Sequence, residues 1–276
     1  MLPQSRVMPV NLRVPGLNQS LSMFVHGPHD KQVSHKIREE GIWEPYETSL
    51  ILSRLQAGDV FIDVGANIGF FTLIAASLVG EHGQVFAFEP DPANHALLTK
   101  NVHYNKLAPR IHSVMAGLST VDAKGTLFLS EDNLGDHRIY PGRGCRETCD
   151  IDLLNGAEYL RHQLRVHKHT GIDLIKVDTQ GSETQVMEGL IPLLLELSFV
   201  PPILIELTPF SLREAGSSGR QLIELLASLQ LDFHIVDHIA HQLVASSAPE
   251  LARWCDNVDA CQGDEGFMNI FLCSRK

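Results

Sequence analysis

The sequence of 276 residues has no long apolar run. Its longest candidates, Phe70 to Val79 and Leu190 to Val200, fall short of the roughly eighteen residues that span a bilayer, so no membrane helix is expected. Cysteine is scarce and odd in number, with only Cys145, Cys149, Cys255, Cys261 and Cys273. Such a set argues against a disulfide framework and for a reducing compartment. Cys145 and Cys149 lie close together, but no second close pair completes a zinc site. The charged region, apolar stretch and small-residue cleavage site of a secretory leader are missing as well, which adds to a cytoplasmic expectation. Positive charge is also short. Lys and Arg number 22 against 33 Asp and Glu, a net charge of -11. No basic stripe marks a nucleic-acid surface, and Arg161 to His169 reads as a solvated helix face. Internal repeats and low-complexity tracts are absent.

What is present is a hydrophobic fraction of 44%, enough for a sizeable core. Pro3, Pro9, Pro15 and Pro28 break up the start, so Met1 to Gly27 reads as an arm or short β segment. His29 to Leu55 turns helical, with Pro45 at a helix start. From Asp59 the chain alternates short apolar runs with helical patterns. Val60 to Val64, Gln84 to Phe88, Asp173 to Val177, Pro202 to Glu206, Asp232 to Val236 and Met268 to Leu272 read as strands. Arg110 to Met115 and Thr126 to Leu129 are weaker ones. Helices are expected over Ile68 to Val79, from Asp91-Pro92 onward, over Glu183 to Leu195 and over Gln221 to Leu229. This alternation predicts a mostly parallel sheet covered on both faces. The last strand has no clear helix before it and is expected to insert antiparallel.

The densest chemistry lies in Gly58 to Gly69, GDVFIDVGANIG. A buried strand carries Asp63, and Gly65 and Gly69 bracket a tight turn into a helix whose first N–H groups are free. Glu89 ends the next strand, where a carboxylate can accept hydrogen bonds from both hydroxyls of a ribose. Together these features specify a nucleoside-containing cofactor, either a dinucleotide or S-adenosylmethionine. The dinucleotide fingerprint wants three glycines spaced GxGxxG. Here Asn67 stands where its second glycine would be, so the close approach to a pyrophosphate is not provided for.

These residues resemble the FkbM family of methyltransferases. Ile62 to Gly69 (IDVGANIG) is similar to its first motif and Phe88 to Pro92 (FEPDP) to its second. Asn94, Leu98, Asn101 and Asn105 follow its N-x3-L-x2-N-x3-N pattern. Leu174 to Glu183 (LIKVDTQGSE) resembles a third motif usually written IKIDVEGAE, and Gly189 matches a later glycine. The resemblance implies an α/β, Rossmann-like class I methyltransferase fold. Its mostly parallel seven-stranded sheet would carry helices on both faces and an antiparallel last strand. It also implies cofactor contacts from Asp63, Gly65, Ala66, Asn67, Gly69, Glu89, Pro90, Asp91 and Asp178. Trp43, Glu44 and Tyr46 would lie over the cofactor.

One departure stands out. Gln180 replaces the motif's glutamate, and an amide cannot act as a general base. Glu183 is retained, and its simplest role is at the N-terminus of its own helix. Asp178 and Glu206 end neighbouring strands, where ligands of open sheets collect. Two acids there could hold a divalent metal through oxygen. The plainer reading, which we favour, has Asp178 on the acceptor or the cofactor amine and Glu206 at the pocket rim. His137 lies in a loop from Gly135 to Gly144 that could cover the pocket, and His234 and His238 flank a strand end.

The expectation is therefore a cap of residues 1–57 followed by a catalytic domain of residues 58–276. S-adenosylmethionine would be the cofactor, leaving as S-adenosylhomocysteine, and a hydroxyl of a small molecule the acceptor. Asp178, Gln180 and His137 are the candidate catalytic residues. No nucleic-acid or membrane partner is expected. A cofactor-binding protein without turnover and a nicotinamide-dependent oxidoreductase remain the alternatives.

Overall fold

A computed structural model describes residues 8–141, 146–261, 263 and 266–274. Cys145 and the tail of the loop running to Gly144 lie outside them, as do Met1 to Val7. The chain opens with β1 (Val10–Asn11), β2 (Ser22–Met23), α1 (Val33–Glu40) and α2 (Pro45–Arg54). It continues through β3 (Val60–Val64), α3 (Phe70–Val79), β4 (Gln84–Phe88), α4 (Pro92–Tyr104) and β5 (Ile111–Val114). Next come β6 (Gly117–Ser119), β7 (Ala123–Phe128), β8 (Thr148–Asn155), α5 (Gly156–His167), β9 (Leu174–Val177) and α6 (Glu183–Leu194). The last elements are β10 (Ile203–Leu207), α7 (Pro209–Glu214), α8 (Gly219–Ala227), β11 (Asp232–Asp237), β12 (Gln242–Ser246), α9 (Ala248–Ala260) and β13 (Met268–Cys273).

The main sheet runs β12-β11-β13-β10-β9-β3-β4-β5. Strands β5, β4, β3, β9 and β10 are parallel neighbours, and β13 runs antiparallel to both β10 and β11. The seven expected strands are present in the expected Rossmann-like arrangement, with β12 added at the edge. The antiparallel last strand has a different cause from the expected one, because a helix, α9, does precede it. Strand β12 pairs antiparallel with β11 and brings the chain back to the opposite end of the sheet. Helix α9 therefore climbs in the reverse sense, and β13 must descend.

Strand β3 shows why the sheet is covered on both sides. All five of its residues are buried. Val60, Ile62 and Val64 join one core cluster, with residues of α5, α6, α8 and α9. Phe61, one position out of phase, joins the other, with α3 and the N-terminal arm. Leu21, Met23, Ile37 and Ile51 lie in that second cluster, so the arm shares the core of the sheet.

Asparagines on α4 fasten the arm. Asn101 accepts from the Phe24 N–H at 2.6 Å and donates to the Phe24 carbonyl at 3.0 Å and the Ile68 carbonyl at 2.9 Å. Asn105 pairs with the N–H and carbonyl of Ser22 at 3.0 and 2.7 Å. Each side-chain amide acts as a neighbouring strand would, satisfying backbone groups that would otherwise be buried unpaired. A second sheet, ordered β6-β8-β7, lies beside the first and was only partly legible as the weak run Thr126 to Leu129. Gly189 of α6 meets it closely, since a Cβ there would lie 2.1 Å from the Ser119 carbonyl oxygen.

Candidate active site

The carboxyl ends of β3, β4, β9 and β10 converge on one region. The turn after β3 is left-handed at Gly65, Asn67 and Gly69, with φ of 83°, 49° and 92°. Gly65 is required by its neighbour strand, because a Cβ on it would lie 1.8 Å from the Asp178 carbonyl oxygen. The sequence suggested that Gly65 lets a ligand approach, whereas the structure shows two strand ends approaching each other. The N–H groups of Gly65 and Ala66 both donate to the Phe88 carbonyl at 3.0 Å. Glu89 accepts from the Asn67 N–H at 2.7 Å and the Asp91 N–H at 3.0 Å. Burial pushes the Glu89 carboxyl up to about 7, against the pull of those two backbone donors.

Two cavities meet at this turn. The larger, about 600 Å³, has walls that include Trp43, Glu44, Ala66, Phe210, Glu206 and Asn269. The smaller, about 70 Å³, is an apolar slot of Phe88, Leu118, Ile139 and Leu153 with Glu89, Pro90, Asn94 and Gln185 at its edge. Gly65, Asn67, Gly135, Asp178 and Gln180 line both.

An ionic cluster forms the wall between them. Lys176, buried on β9, donates to Asp178 Oδ2 at 3.0 Å and lies over the Phe71 ring at 4.7 Å. Burial works against its charge, but Asp178, Glu44 and Asp63 hold it protonated and raise its pKa. Gln180, left-handed at φ 54°, donates through Nε2 to Asp178 Oδ1 at 2.8 Å and to Glu206 Oε2 at 2.7 Å. Burial pushes Glu44 up to about 8, with Lys176 opposing and Asp178 and Glu47 adding to the rise. Glu206 is raised well above the carboxylate range by burial and then by the charges of Asp178, Glu183 and Glu44. Glu44, Asn67 and Gln180 are three non-glycine residues held left-handed on this cavity, a strain that surrounding structure must over-determine.

Several expected residues stand elsewhere. Asp63 lies behind the cavity walls, where its Oδ2 accepts from Thr72 Oγ1 at 2.5 Å. Gly69 caps α3 against Leu98. Asp91 caps α4 by accepting from the Asn94 N–H at 2.7 Å. His137, a candidate catalytic residue on the covering loop, faces the smaller cavity, and its Nδ1 accepts the Ser130 N–H at 3.0 Å within that loop. The same loop is tied to the turn, since the Leu134 carbonyl accepts from Asn67 at 3.1 Å and Asn94 at 2.9 Å. Asp178 accepts from Gln180 at one oxygen and from Lys176 at the other, so its carboxylate is held in one orientation. Glu183 folds back on its own turn, accepting from the N–H groups of Thr179 and Gly181 at 2.9 Å. His238 reaches the larger cavity, and His234 lines neither cavity. Among the described residues no group of three or more His, Cys, Asp or Glu is placed to hold a metal. The N–H donors of Gln180 point into the space between Asp178 and Glu206. Lys176 was missed, although a lone charge inside the apolar run Leu174 to Val177 was its signal.

A family model matches more than half of the chain. Residues 63–235 match the sequence model of the methyltransferase FkbM domain. Methyltransferase sdnD of Sordaria araneosa is 27% identical over 164 residues, 50% of this chain and 62% of that protein. The matched stretch therefore covers less than two thirds of that relative's length. Hexuronic acid methyltransferase AglP of Haloferax volcanii is 26% identical over 189 residues, 67% of this chain and 69% of that protein. Among solved structures, a methyltransferase FkbM from Methylobacillus flagellatus aligns at 12% identity and a TM-score of 0.44, covering 90% of this chain and 56% of that one.

Proposed function

This chain belongs to the methyltransferase FkbM family, and from that premise we propose that it transfers a methyl group from S-adenosylmethionine to a hydroxyl oxygen of a small-molecule acceptor. One observation carries the reading. The buried Glu89 carboxylate accepts from the backbone N–H groups of Asn67 and Asp91 and from the Asn94 side chain, and closes the end of β4 beside a glycine turn that opens on both cavities. Its remaining lone pairs suit the two hydroxyls of a ribose. The apolar slot beside it, edged by Asn94 and Gln185, suits a flat purine. Asp178 presents a carboxylate on the wall shared by both cavities, where an ammonium or a sulfonium would need one.

When bound, S-adenosylmethionine supplies an activated methyl carbon. The chain's own contribution is to bind, orient and exclude water. Lys176 and Gln180 hold the Asp178 carboxylate in one orientation. The segment of residues 1–57 acts as a cap on the domain of residues 58–276, placing Trp43 and Glu44 on the cavity wall. A polar, sugar-like acceptor suits the mixture of Trp43, Phe210, Lys36 and Asn269 in the larger cavity, and the name of AglP supports the same class. The net charge of -11 supports a small molecule over a nucleic acid. The free thiols of Cys149, Cys255, Cys261 and Cys273 support a reducing, cytoplasmic setting, and no helix among the described residues is long and apolar enough to cross a membrane.

The test pairs calorimetry with S-adenosylmethionine and a screen of hydroxylated small molecules with a labelled methyl donor. Saturable binding with label appearing in an acceptor is the expected result. No binding would refute the reading. Binding with no transfer to any acceptor would favour the non-catalytic alternative that Gln180 raises.

A further inference from the structure

Resting on the methyltransferase reading, we infer that Glu206 is the general base that takes the acceptor's hydroxyl proton, and that Gln180 is the residue that positions it. The geometry separates four carboxylates in one region. Asp178 has Oδ1 held by Gln180 and Oδ2 by the Lys176 ammonium, so it is committed to an ion pair within the wall. Glu183 is turned back on its own loop. Glu44 also lines the larger cavity, from the residue that precedes α2, but no hydrogen bond ties its side chain to Gln180 among the described residues. Glu206 lines the larger cavity, bonds at 2.7 Å through Oε2 to Gln180 on that shared wall, and has no cation within ion-pair distance among the described residues. Its Oε1 accepts no hydrogen bond among the described residues, which leaves a lone pair for a hydroxyl.

Gln180 fits this role better than the glutamate of the family motif would. A third carboxylate between Asp178 and Glu206 would repel both. An amide instead donates one N–H to each, fixing the distance between the cofactor side and the acceptor side. The residue that cannot be a base thus orients the one that can. In the step itself the acceptor O–H bond breaks as the oxygen bonds to the methyl carbon. The carbon–sulfur bond breaks and its electron pair stays on sulfur, which becomes neutral. The proton passes to Glu206 Oε1 and later to solvent.

The groups that face Glu206 set its proton affinity. They are Lys176 of β9 and Asp178 just beyond its end, Glu183 from α6 and Glu44 from the cap, with Asn269 opposite it in the β10–β13 register. Burial and three acids against one lysine raise the proton affinity of Glu206 above that of a free carboxyl, which makes its ionised form a stronger base.

The experiment uses the full chain, a labelled methyl donor and a panel of monosaccharides and uronic acids. Glu206→Gln is expected to lower kcat by ~10²-fold or more and to remove the rising limb of its pH profile, while S-adenosylhomocysteine affinity stays within a few-fold. Glu206→Asp should recover part of the rate. Gln180→Ala should move the rising limb to higher pH, because the ionised base loses an N–H donor, and a merely structural residue would leave the limb in place. Infrared difference spectra of the acceptor-free protein between pH 5 and pH 9 give an independent readout. A protonated-carboxyl band should disappear from them in Glu206→Gln. An unchanged band in that variant, or a wild-type rate and pH profile, would overturn the assignment. So would a pH limb lost in Glu44→Gln but kept in Glu206→Gln. Failure of the wild-type chain to bind S-adenosylmethionine would instead overturn the methyltransferase reading.

Discussion

Replacing Gly65 with alanine puts a methyl carbon 1.8 Å from the Asp178 carbonyl oxygen, and folded chains essentially never hold that contact below 3.0 Å. The strand ends of β3 and β9 must therefore part. Two costs combine. Alanine at a φ of 83° costs about 1–2 kcal/mol for left-handed strain, and forcing atoms into a filled space costs about 1–3 kcal/mol. The total, about 2–5 kcal/mol, is large beside a typical stability of about 5–15 kcal/mol but leaves the chain folded. Gly216 provides the control. It has nearly the same φ, 87°, and no atom lies within 4 Å of where an added methyl would stand, so Gly216→Ala should cost the strain alone. At about 2 °C per kcal/mol for a chain of this size, melting should fall by about 2–4 °C for Gly216→Ala and about 4–10 °C for Gly65→Ala. Moving the Asp178 backbone also pulls its carboxylate from Lys176 and Gln180, so S-adenosylhomocysteine affinity should fall at least ~10-fold in Gly65→Ala only, the scale of one lost charged hydrogen bond. Thermal melts and titration calorimetry on the pair decide the matter. Equal melting of the two variants, or wild-type affinity in Gly65→Ala, would refute the close-approach argument.

Glu89→Gln should weaken S-adenosylhomocysteine binding by about 1.5–3 kcal/mol, the scale for hydrogen bonds to a charged group, as read by calorimetry. The same change carries a stability signature. The folded pKa of Glu89, about 7, lies above its unfolded value, so the ligand-free wild type loses stability as pH rises through that window. The melting difference between variant and wild type should therefore move in favour of Glu89→Gln from pH 5 to pH 8, and a pH-independent difference would contradict the burial of an ionisable group there. Asn101→Leu should strand the N–H and carbonyl of Phe24 and the carbonyl of Ile68, lowering stability by about 3 kcal/mol or more and exposing the arm to limited proteolysis. Wild-type melting and protease resistance would show that the arm is held by its apolar side chains alone.

The local sequence determined the parts of this protein whose signals are local. The run Val60 to Val64, the glycine turn and the strand ending at Glu89 are each set by a few adjacent residues, through side-chain burial on both faces and φ values that glycine alone takes freely. The same holds for the Asp91-Pro92 start of α4, where the cap and its first-turn N–H are three residues apart. Tertiary structure decided what depends on residues far apart in the chain. Gln180 looked like a lost general base until Glu206, 26 positions on, came within 2.7 Å of it. Asp178 stood as a lone strand-end acid until Lys176 and Gln180 came within hydrogen-bond distance of it. The direction of β13 followed from the extra strand β12, a hairpin partner with too few buried residues to show a periodic pattern. The arm looked separate until Asn101 reached Phe24 across 77 positions. Each of these turns on a hydrogen bond or a chain reversal that leaves no spacing rule in the sequence, because its partners become neighbours only once the sheet has closed around them.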